Sequence, residues 1–320
     1  MFNYTLRRVN LFIVTLFILT LVGYSLLRLE PELDTTSHGY WFGWWQYIQN
    51  LSRFDFGINK NGTPIISELL IVFPATLELC LVAFTLALVI GVPLGTLAGM
   101  KQGKWVDTAI SFTSISGYSA PIFWVALMMI MLFSLNYEWL PVGGRYDLLY
   151  QIEPMTGFAL FDAFLAKGAY HNHALQSVIE HMILPCLVLA LAPTTQIIGL
   201  MRASVADVMS QNYIRAARIK GLSRYRIVTK HVLPNAIPPI IPKFGFELSS
   251  ILTLAIITES IFNWPGIGRW LLDALSNKDY VSIQAGVIVL GTLVLTANIL
   301  SDLAGSVVNP LIRKEWYANK

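Results

Sequence analysis

Residues 212–234, NYIRAARIKGLSRYRIVTKHVLP, are the longest strongly polar run between hydrophobic blocks, and the rest of the chain is arranged around them. The residue pattern predicts two short helices. Asn212 can cap the first helix, Gly221 suits the position just after its end, and Ser223 can cap the second. Pro234 is expected just past the end of the second helix. The run has no acid and six positive charges, on Arg215, Arg218, Lys220, Arg224, Arg226 and Lys230.

The first of these predicted helices has one small, smooth face. Tyr213, Ala216 and Ala217 share that face because they are spaced at i, i+3 and i+4. Alanine lets the backbone of a partner come close. This face is therefore predicted to be a docking surface.

The composition is that of a membrane protein. Of 320 residues, 55% are apolar and only 13% are charged, and the mean hydropathy is +0.59, well beyond an ordinary soluble domain. Cys80 and Cys186 fall inside apolar runs, so neither a disulfide framework nor a metal site is expected. The first apolar run follows Arg7 and Arg8 like a signal peptide, but no small-residue cleavage site follows it. We expect a retained membrane anchor.

Six apolar runs reach the roughly 20 residues needed to cross a bilayer, which places both termini on the same side. Fourteen of the 22 Lys and Arg residues lie at the termini, at Lys101 and Lys104, or between Arg202 and Lys230, so that side is predicted to be cytoplasmic. The predicted spans are Val9–Leu27, Ala75–Gly99, Ala109–Leu135, His181–Arg202, Ile237–Phe262 and Ile283–Val307.

The same pattern predicts the organisation of the whole chain. An N-terminal transmembrane helix (1–28) precedes a periplasmic segment (29–74). A transmembrane domain (75–308) has a periplasmic insertion (136–180), expected to build an outer cap because it is too long for a connector. It also has a cytoplasmic loop (203–236), and a cytoplasmic tail (309–320) follows.

The polar run also resembles a known loop. Arg215-Ala216-Ala217, Gly221 and Leu233-Pro234 are spaced as in the "EAA" loop of the membrane subunits of ABC importers. The sequence departs from that pattern at Arg215, where Glu is usual, and at His231, where an apolar residue is usual. The arginine variant is similar to the dipeptide and oligopeptide branch. The resemblance implies that a set of residues in this loop couples the chain to a cytoplasmic ATPase: Tyr213, Arg215, Ala216, Ala217, Gly221, Leu233 and Pro234.

Other stretches extend the resemblance over nearly the whole chain. Asp55-Phe56-Gly57 and the ending from Thr258 to Arg269 are similar to signatures of the same branch, and residues 314–318 resemble its Sap-type members. The resemblance implies an all-α, six-helix type I ABC importer permease with two sizeable periplasmic segments. It implies a second homologous permease subunit, two ATP-binding subunits and a periplasmic substrate-binding protein as partners. No nucleic-acid partner is expected.

Ionisable residues inside the predicted spans are candidates for function, because charges are costly there. Glu78 and Glu259 lie toward the outer ends of their spans, where lining of a translocation pathway and contact with interfacial water are equally good interpretations. Lys243 and Glu247 are four residues apart, which favours an ion pair between them. Asp302 is expected to make a local packing or headgroup contact.

The sequence gives little support to an enzyme. It has no phosphate-binding Gly-x-x-x-x-Gly-Lys-Ser/Thr and no His-Glu-x-x-His, and His171 and His173 lie in a polar loop without further ligands nearby. We expect no catalytic residue, no metal and no cofactor in this chain, with ATP used by separate subunits. A self-sufficient secondary transporter and a membrane enzyme are the alternatives, and no inverted repeat in hydropathy supports the first.

The cargo is the least determined property. The family resemblance implies short peptides, and the Sap-type ending points to cationic ones, including antimicrobial peptides; a polyamine such as putrescine is the alternative. The predicted outer segments hold twelve acids against seven bases, which favours cations. That excess is partly generic, since outer loops are depleted of Lys and Arg. If cations pass, Glu78 and Glu259 are the carboxylates expected to meet them.

Overall fold

The computed structural model describes residues 2–30, 39–166 and 171–308. Helices dominate these ranges, as predicted, and a single β-bridge joins Ile58 to Pro64. The tail whose sequence resembles the Sap-type branch (309–320) lies outside the described residues. The α-helices are α1 (Phe2–Leu27), α2 (Tyr40–Ser52), α3 (Ile65–Met100), α4 (Trp105–Ser119), α5 (Ile122–Met129), α6 (Ala159–Leu165), α7 (His171–Ser210), α8 (Asn212–Ile219), α9 (Arg224–Ile227), α10 (Leu233–Ala236), α11 (Phe244–Ile261), α12 (Ile267–Ser276) and α13 (Tyr280–Val308).

Five of these helices, α1, α3, α7, α11 and α13, are long and apolar enough to cross a membrane, and α4 with α5 forms a sixth, bent candidate. Two helices reach well into the predicted outer segments: α3 begins at Ile65 rather than Ala75, and α7 begins at His171 rather than His181. Pro74 is therefore inside α3 and not before it. The predicted boundaries were too narrow because they followed apolar content, and the polar first turns of these helices pack on the protein instead of lipid.

The third predicted span consists of two separate helices and is not a single bent helix. α4 and α5 meet at 96° around Ala120 and Pro121. Ala120 has an extended backbone (φ −79°, ψ 134°), the conformation that a following proline imposes. Gly117 does not interrupt α4, so the break belongs to Pro121 alone. After the break, α5 continues into a π-helical stretch, Ile130–Asn136.

The centre of the bundle is a long seam between α3 and α7. Small residues recur every four positions along α3, and all are buried. A Cβ atom added at Gly95 would lie 2.7 Å from the Ile198 carbonyl oxygen, and one at Gly99 would lie 2.6 Å from that of Arg202. The two backbones are thus as close as they can be, the arrangement that small-residue repeats favour between membrane helices. The repeat consists of Ala83, Ala87, Gly91, Gly95 and Gly99.

The first helix lies at the edge of the bundle. α1 packs on α13 and on the short outer helix α2, and Trp44 of α2 donates a hydrogen bond to Thr20 (3.3 Å). At its inner end Arg8 forms an ion pair with Asp302 of α13 (3.1 Å). The predicted local packing contact of Asp302 is confirmed, and it holds α1 to the bundle.

Candidate functional site

The polar run of residues 212–234 folds as a helical hairpin (residues 211–236), called the coupling hairpin after the loop that it resembles. Its turn is built as predicted. Gly221 has a φ of +75°, which L side chains rarely adopt, and the Ser223 hydroxyl accepts a hydrogen bond from the Arg226 amide (3.3 Å). The cap of the first helix differs, because α8 already includes Asn212 and the preceding Gln211 takes the cap position.

Pro234 was predicted just past the second helix, and that prediction is wrong. α9 continues through a π-helical stretch, Val228–Val232, into α10, and Pro234 lies in the first turn of α10. A proline within a helix clashes with the preceding turn and lacks an amide donor. The wider π-helical turn immediately before it accommodates both effects, so the chain remains helical up to Ala236.

The predicted docking face of α8 is divided by the rotation of the helix. Ala217 is only 6% exposed, and it packs in the protein core beside Ile214, which is 0% exposed. Tyr213 and Ala216 point outward. Ile214 decides the rotation, because its side chain has far more apolar area to bury than either alanine. Ala217 therefore supports the surface from beneath instead of forming it.

Two apolar side chains extend the outer face beyond the predicted residues. Ile219 is 87% exposed and Tyr225 is 79% exposed, on either side of the turn at Gly221. Burial of such side chains against a partner is favourable. The presence of these apolar residues in a strongly basic run was the sequence signal for this exposed face.

The coupling hairpin is fixed firmly to the rest of the bundle. Ile227, Val232 and Ala236 are buried in the central core, and Leu233 packs against it. The Ser204 hydroxyl of α7 donates a hydrogen bond to the Ala236 carbonyl oxygen (2.7 Å). The hairpin and the C-terminal part of α7 are therefore one packed unit.

A bidentate ion pair next to the hairpin went unnoticed in the sequence. Arg202 of α7 donates two hydrogen bonds to the buried carboxylate of Asp107 at the start of α4, one of them 2.9 Å long (Nη2 to Oδ2). The same carboxylate accepts the Gly103 amide (2.9 Å). Paired, bidentate contacts of this kind are the strong ones. The pair joins the α3–α4 turn to the helix that carries the hairpin.

The carboxylate of Glu78, 13 residues after the start of α3, is buried and accepts hydrogen bonds from several donors. It forms an ion pair with Arg145 (Nε to Oε2, 3.1 Å). It also accepts the amides of Ala159 (3.1 Å) and Leu160 (2.6 Å), at the N-terminus of α6. An anion is favourable at that end of a helix. Glu78 thus joins the outer segment between α5 and α7 to the bundle.

Glu259 near the end of α11 has a similar role. Its carboxylate is 0% exposed and accepts the Thr76 hydroxyl (2.6 Å) and the amides of Gly268 (2.7 Å) and Arg269 (3.2 Å). It therefore binds α3 and the N-terminus of α12 together. A Cβ atom at Gly268 would lie 2.9 Å from this carboxylate and 2.6 Å from the Ile256 Cα, which is why the turn requires glycine there.

Neither outer glutamate contacts open space, so the geometry corrects both earlier interpretations. Pathway lining and contact with interfacial water both require an accessible carboxylate, whereas Glu78 is 3% exposed. Arg145 is 67 residues from Glu78 and Thr76 is 183 residues from Glu259, so spacing along the chain could not indicate these two side-chain partners.

Comparison with known proteins now gives the family. Residues 91–314, more than half of the chain, match the family model described as "Binding-protein-dependent transport system inner membrane component". The chain belongs to this family. It is thus a multi-pass permease of the inner membrane, and membership implies partners that bind substrate and hydrolyse ATP.

The relatives cover the chain from end to end. It is 49% identical over 319 residues to the "Putrescine export system permease protein SapB" of Escherichia coli K12, covering 99% of each chain. It is 48% identical, with the same coverage, to the "Peptide transport system permease protein SapB" of Salmonella typhimurium. The methionine ABC transporter MetNI in an inward-facing form shares the fold, with a TM-score of 0.54 over 73% of this chain and 93% of that one at 16% identity. The predicted type I importer permease fold and Sap-type resemblance are confirmed.

The predicted ion pair between Lys243 and Glu247 of this permease is absent from the part of the chain that the structure describes. Lys243 ends a 3₁₀ turn, Ile241–Lys243, and α11 begins one residue later. Lys243 is exposed, whereas Glu247 is 5% exposed and points into a cavity.

Proposed function

We propose that this chain is the permease subunit of a Sap-type ABC transporter, and that it moves cationic cargo, short peptides first, across the inner membrane. The observation that carries the proposal is the coupling hairpin. Its outward face combines Tyr213, Ala216, Ile219 and Tyr225 with basic side chains, and its inward face is part of the core. That arrangement suits a rigid surface built to dock on another protein.

The proposed docking partner is an ATPase in the cytoplasm. Arg215 and Gly221 complete the exposed face, while Ala217, Leu233 and Pro234 support it or join it to the bundle. ATP would be used by two SapD- and SapF-like subunits, with a SapC-like second permease and a SapA-like binding protein completing the complex. The hairpin side of the membrane is then the cytoplasm, with both termini on that side, residues 29–74 and 136–180 outside, and 203–236 and 309–320 inside.

Two cargo classes are supported by the names of relatives, one for peptides and one for putrescine. Putrescine is a diamine, so a positive charge is what it shares with the cationic peptides expected of a Sap-type system. The outer acids give only weak support, because several of them hold the structure together: Glu68 accepts Trp270 (2.8 Å), and Asp162 accepts Gly157 (3.0 Å). We propose peptides as the principal cargo and putrescine as the second candidate.

The test is transport by the whole complex. The chain would be co-expressed with its partner subunits, purified and reconstituted in proteoliposomes, and ATP-dependent movement of Ala-Arg-Ala and of putrescine would be measured across the bilayer. We expect at least the peptide to move only with ATP. Recovery of the chain alone, with no ATPase under conditions that preserve other ABC complexes, would contradict the proposal.

The hairpin's part in the complex has its own test. Ile219→Ser removes an exposed apolar side chain, so the stability of the chain should hardly change, while retention of the ATPase should weaken about tenfold. Exposed Ile58, on the outer side, provides the matched control as Ile58→Ser. Equal ATPase retention by both variants would show that the hairpin face is not the docking surface.

A further inference from the structure

A cavity of about 430 Å³ lies at the break in the third span, between the α4–α5 junction, α7 and α11. Its walls are mostly apolar. Its size falls within the range of small-molecule sites, enough for a diamine or one long side chain but too small for a whole peptide. Its lining includes Tyr118, Val188, Leu191, Gln196, Glu247 and Leu254.

Glu247 is the single charged residue among the described residues that line this cavity. It is 5% exposed, and no described residue donates a hydrogen bond to its carboxylate or forms an ion pair with it. An ionised carboxylate within a membrane span is costly unless a counter-charge is supplied. The other buried carboxylates of the bundle, such as Glu78 and Glu259, have protein donors. Of these three glutamates, only Glu247 has a carboxylate with no donor among the described residues. It can therefore accept hydrogen bonds from a group that enters the cavity.

The position of the carboxylate also suits a site that cargo reaches during transport. Glu247 lies in the first turn of α11, about 10 Å from the start of the span at Ile241 by the rise of a helix. The wall opposite is the break at Ala120, where the third span turns by 96°. Irregular backbone within a membrane protein is tolerated where it lines a cavity.

We propose that this cavity is a transient site for one ammonium or guanidinium group of the cargo, with Glu247 as its counter-ion. The inference rests on the proposed function, because it concerns the class of cargo that the permease carries. The apolar walls at Val188, Leu191 and Leu254 would accept the methylene stem of a lysine, an arginine or a diamine. The ring of Tyr118 offers a second favourable surface for a cation.

The test compares two peptides that differ only in charge. Ala-Arg-Ala and Ala-citrulline-Ala have nearly the same shape, but citrulline is neutral. In proteoliposomes with the full complex, the ratio of their initial transport rates at subsaturating concentration isolates the contribution of the charge. We expect Glu247→Gln to lower that ratio about tenfold and Glu247→Asp to lower it less. Glu153→Gln makes the same chemical change at an exposed outer carboxylate and should leave the ratio within about twofold.

The outcomes separate the inference from the proposed function. If the wild-type complex moves neither peptide nor putrescine, the proposed function fails and the inference fails with it. If the wild-type moves them and Glu247→Gln slows both peptides equally, the proposed function stands and the inference is wrong. Loss of the second permease from the Glu247→Gln complex would also overturn it, since the carboxylate would then pair with that subunit.

A second variant keeps the test decisive if Glu247→Gln does not assemble. Ser250 lines the same cavity three residues further along α11, so Ser250→Lys would place a competing ammonium beside Glu247. Under the proposal, this variant loses transport of Ala-Arg-Ala and retains more of that of Ala-citrulline-Ala. Equal rates for the two peptides relative to wild-type would contradict it.

Discussion

Buried carboxylates at the outer end of this permease have partners within the chain, whereas the bases of the coupling hairpin have no acidic partner among the described residues. At the outer end, Glu78 and Glu259 are buried, and each carboxylate accepts at least three hydrogen bonds from side chains and helix N-termini. At the inner end, the coupling hairpin has six bases, and none of them has an acidic partner within the described residues. Its exposed apolar side chains, Ile219 and Tyr225, are likewise uncovered.

This difference separates contacts that stabilise the fold from a surface expected to act in assembly. The outer contacts are complete within one chain, so their loss should be measured as unfolding. If the hairpin face docks on the ATPase as proposed, changes there should affect association and ATP use while leaving the fold intact. The experiments below either break that division or define it more closely.

The largest effect is expected for Glu259→Ala. It leaves the Thr76 hydroxyl and two amides of α12 buried without an acceptor, which should lower the free energy of unfolding by about 4 kcal/mol. Thermal unfolding in detergent measures the loss. Asp273→Asn is the control. Asp273 is exposed, and its Oδ2 lies 4.0 Å from the Arg269 Nε, which makes a weak surface ion pair. A stable Glu259→Ala protein that fails to transport would indicate that Glu259 acts in the translocation pathway.

Two neighbouring alanines test the division within a single helix. Ala217→Asp puts an unpaired charge into the core and should cost about 3 kcal/mol of stability. Ala216→Asp places the same charge on the surface, so stability should change by less than about 0.5 kcal/mol, while stimulation of the ATPase falls severalfold. Unfolding and ATPase assays on both proteins decide the matter. Equal destabilisation by the two substitutions would mean that α8 is rotated differently.

Arg145→Met should cost about 2 kcal/mol, because Glu78 loses its counter-ion and keeps only backbone donors. Methionine preserves much of the arginine stem. The double variant with Glu78→Gln should recover part of the loss, since no unpaired charge remains. Limited proteolysis of the segment between α5 and α7 would report the same change locally. Full additivity of the two single substitutions would show that the pair is not coupled.

The smallest effect is expected at the hairpin turn. Gly221 has a positive φ, but an added Cβ would meet nothing within 4 Å. Gly221→Ala should therefore cost only the conformational strain, about 1 kcal/mol, and ATPase stimulation should fall modestly. Gly199→Ala is the control, because that glycine has a helical backbone and equally open space. No difference between the two variants would show that the turn tolerates other conformations.

Local features of the chain were predictable from its sequence. Gly221 and Ser223 marked the turn of the hairpin because φ preferences and capping depend on adjacent residues. The apolar runs gave the spans because the length of a span is set by the bilayer. The extended backbone at Ala120 follows from Pro121 in the sequence, whereas the 96° angle of the break depends on what packs around it.

The remaining features depend on contacts that spacing does not encode. Ala216 and Ala217 are identical residues, and only the burial of Ile214 determines which of them faces the core. For Glu78 and Glu259 the sequence left pathway lining and interfacial contact equally open, because Arg145, the α6 amides and Thr76 come from distant segments. The spacing of Lys243 and Glu247 predicted an ion pair, but spacing does not encode that Glu247 is buried beside a cavity while Lys243 is exposed.

The seam between α3 and α7 makes these two helices a rigid pair. With backbones in direct contact along Gly95 and Gly99, neither helix can slide on the other without collision, so the two must tilt together. The Ser204 hydroxyl of α7 binds the coupling hairpin, and Glu78, 13 residues after the start of α3, binds the segment between α5 and α7. At about 1.5 Å per residue, α3 alone is about 54 Å long. We therefore expect a tilt of this helix pair to move the coupling hairpin and the segment held by Glu78 together.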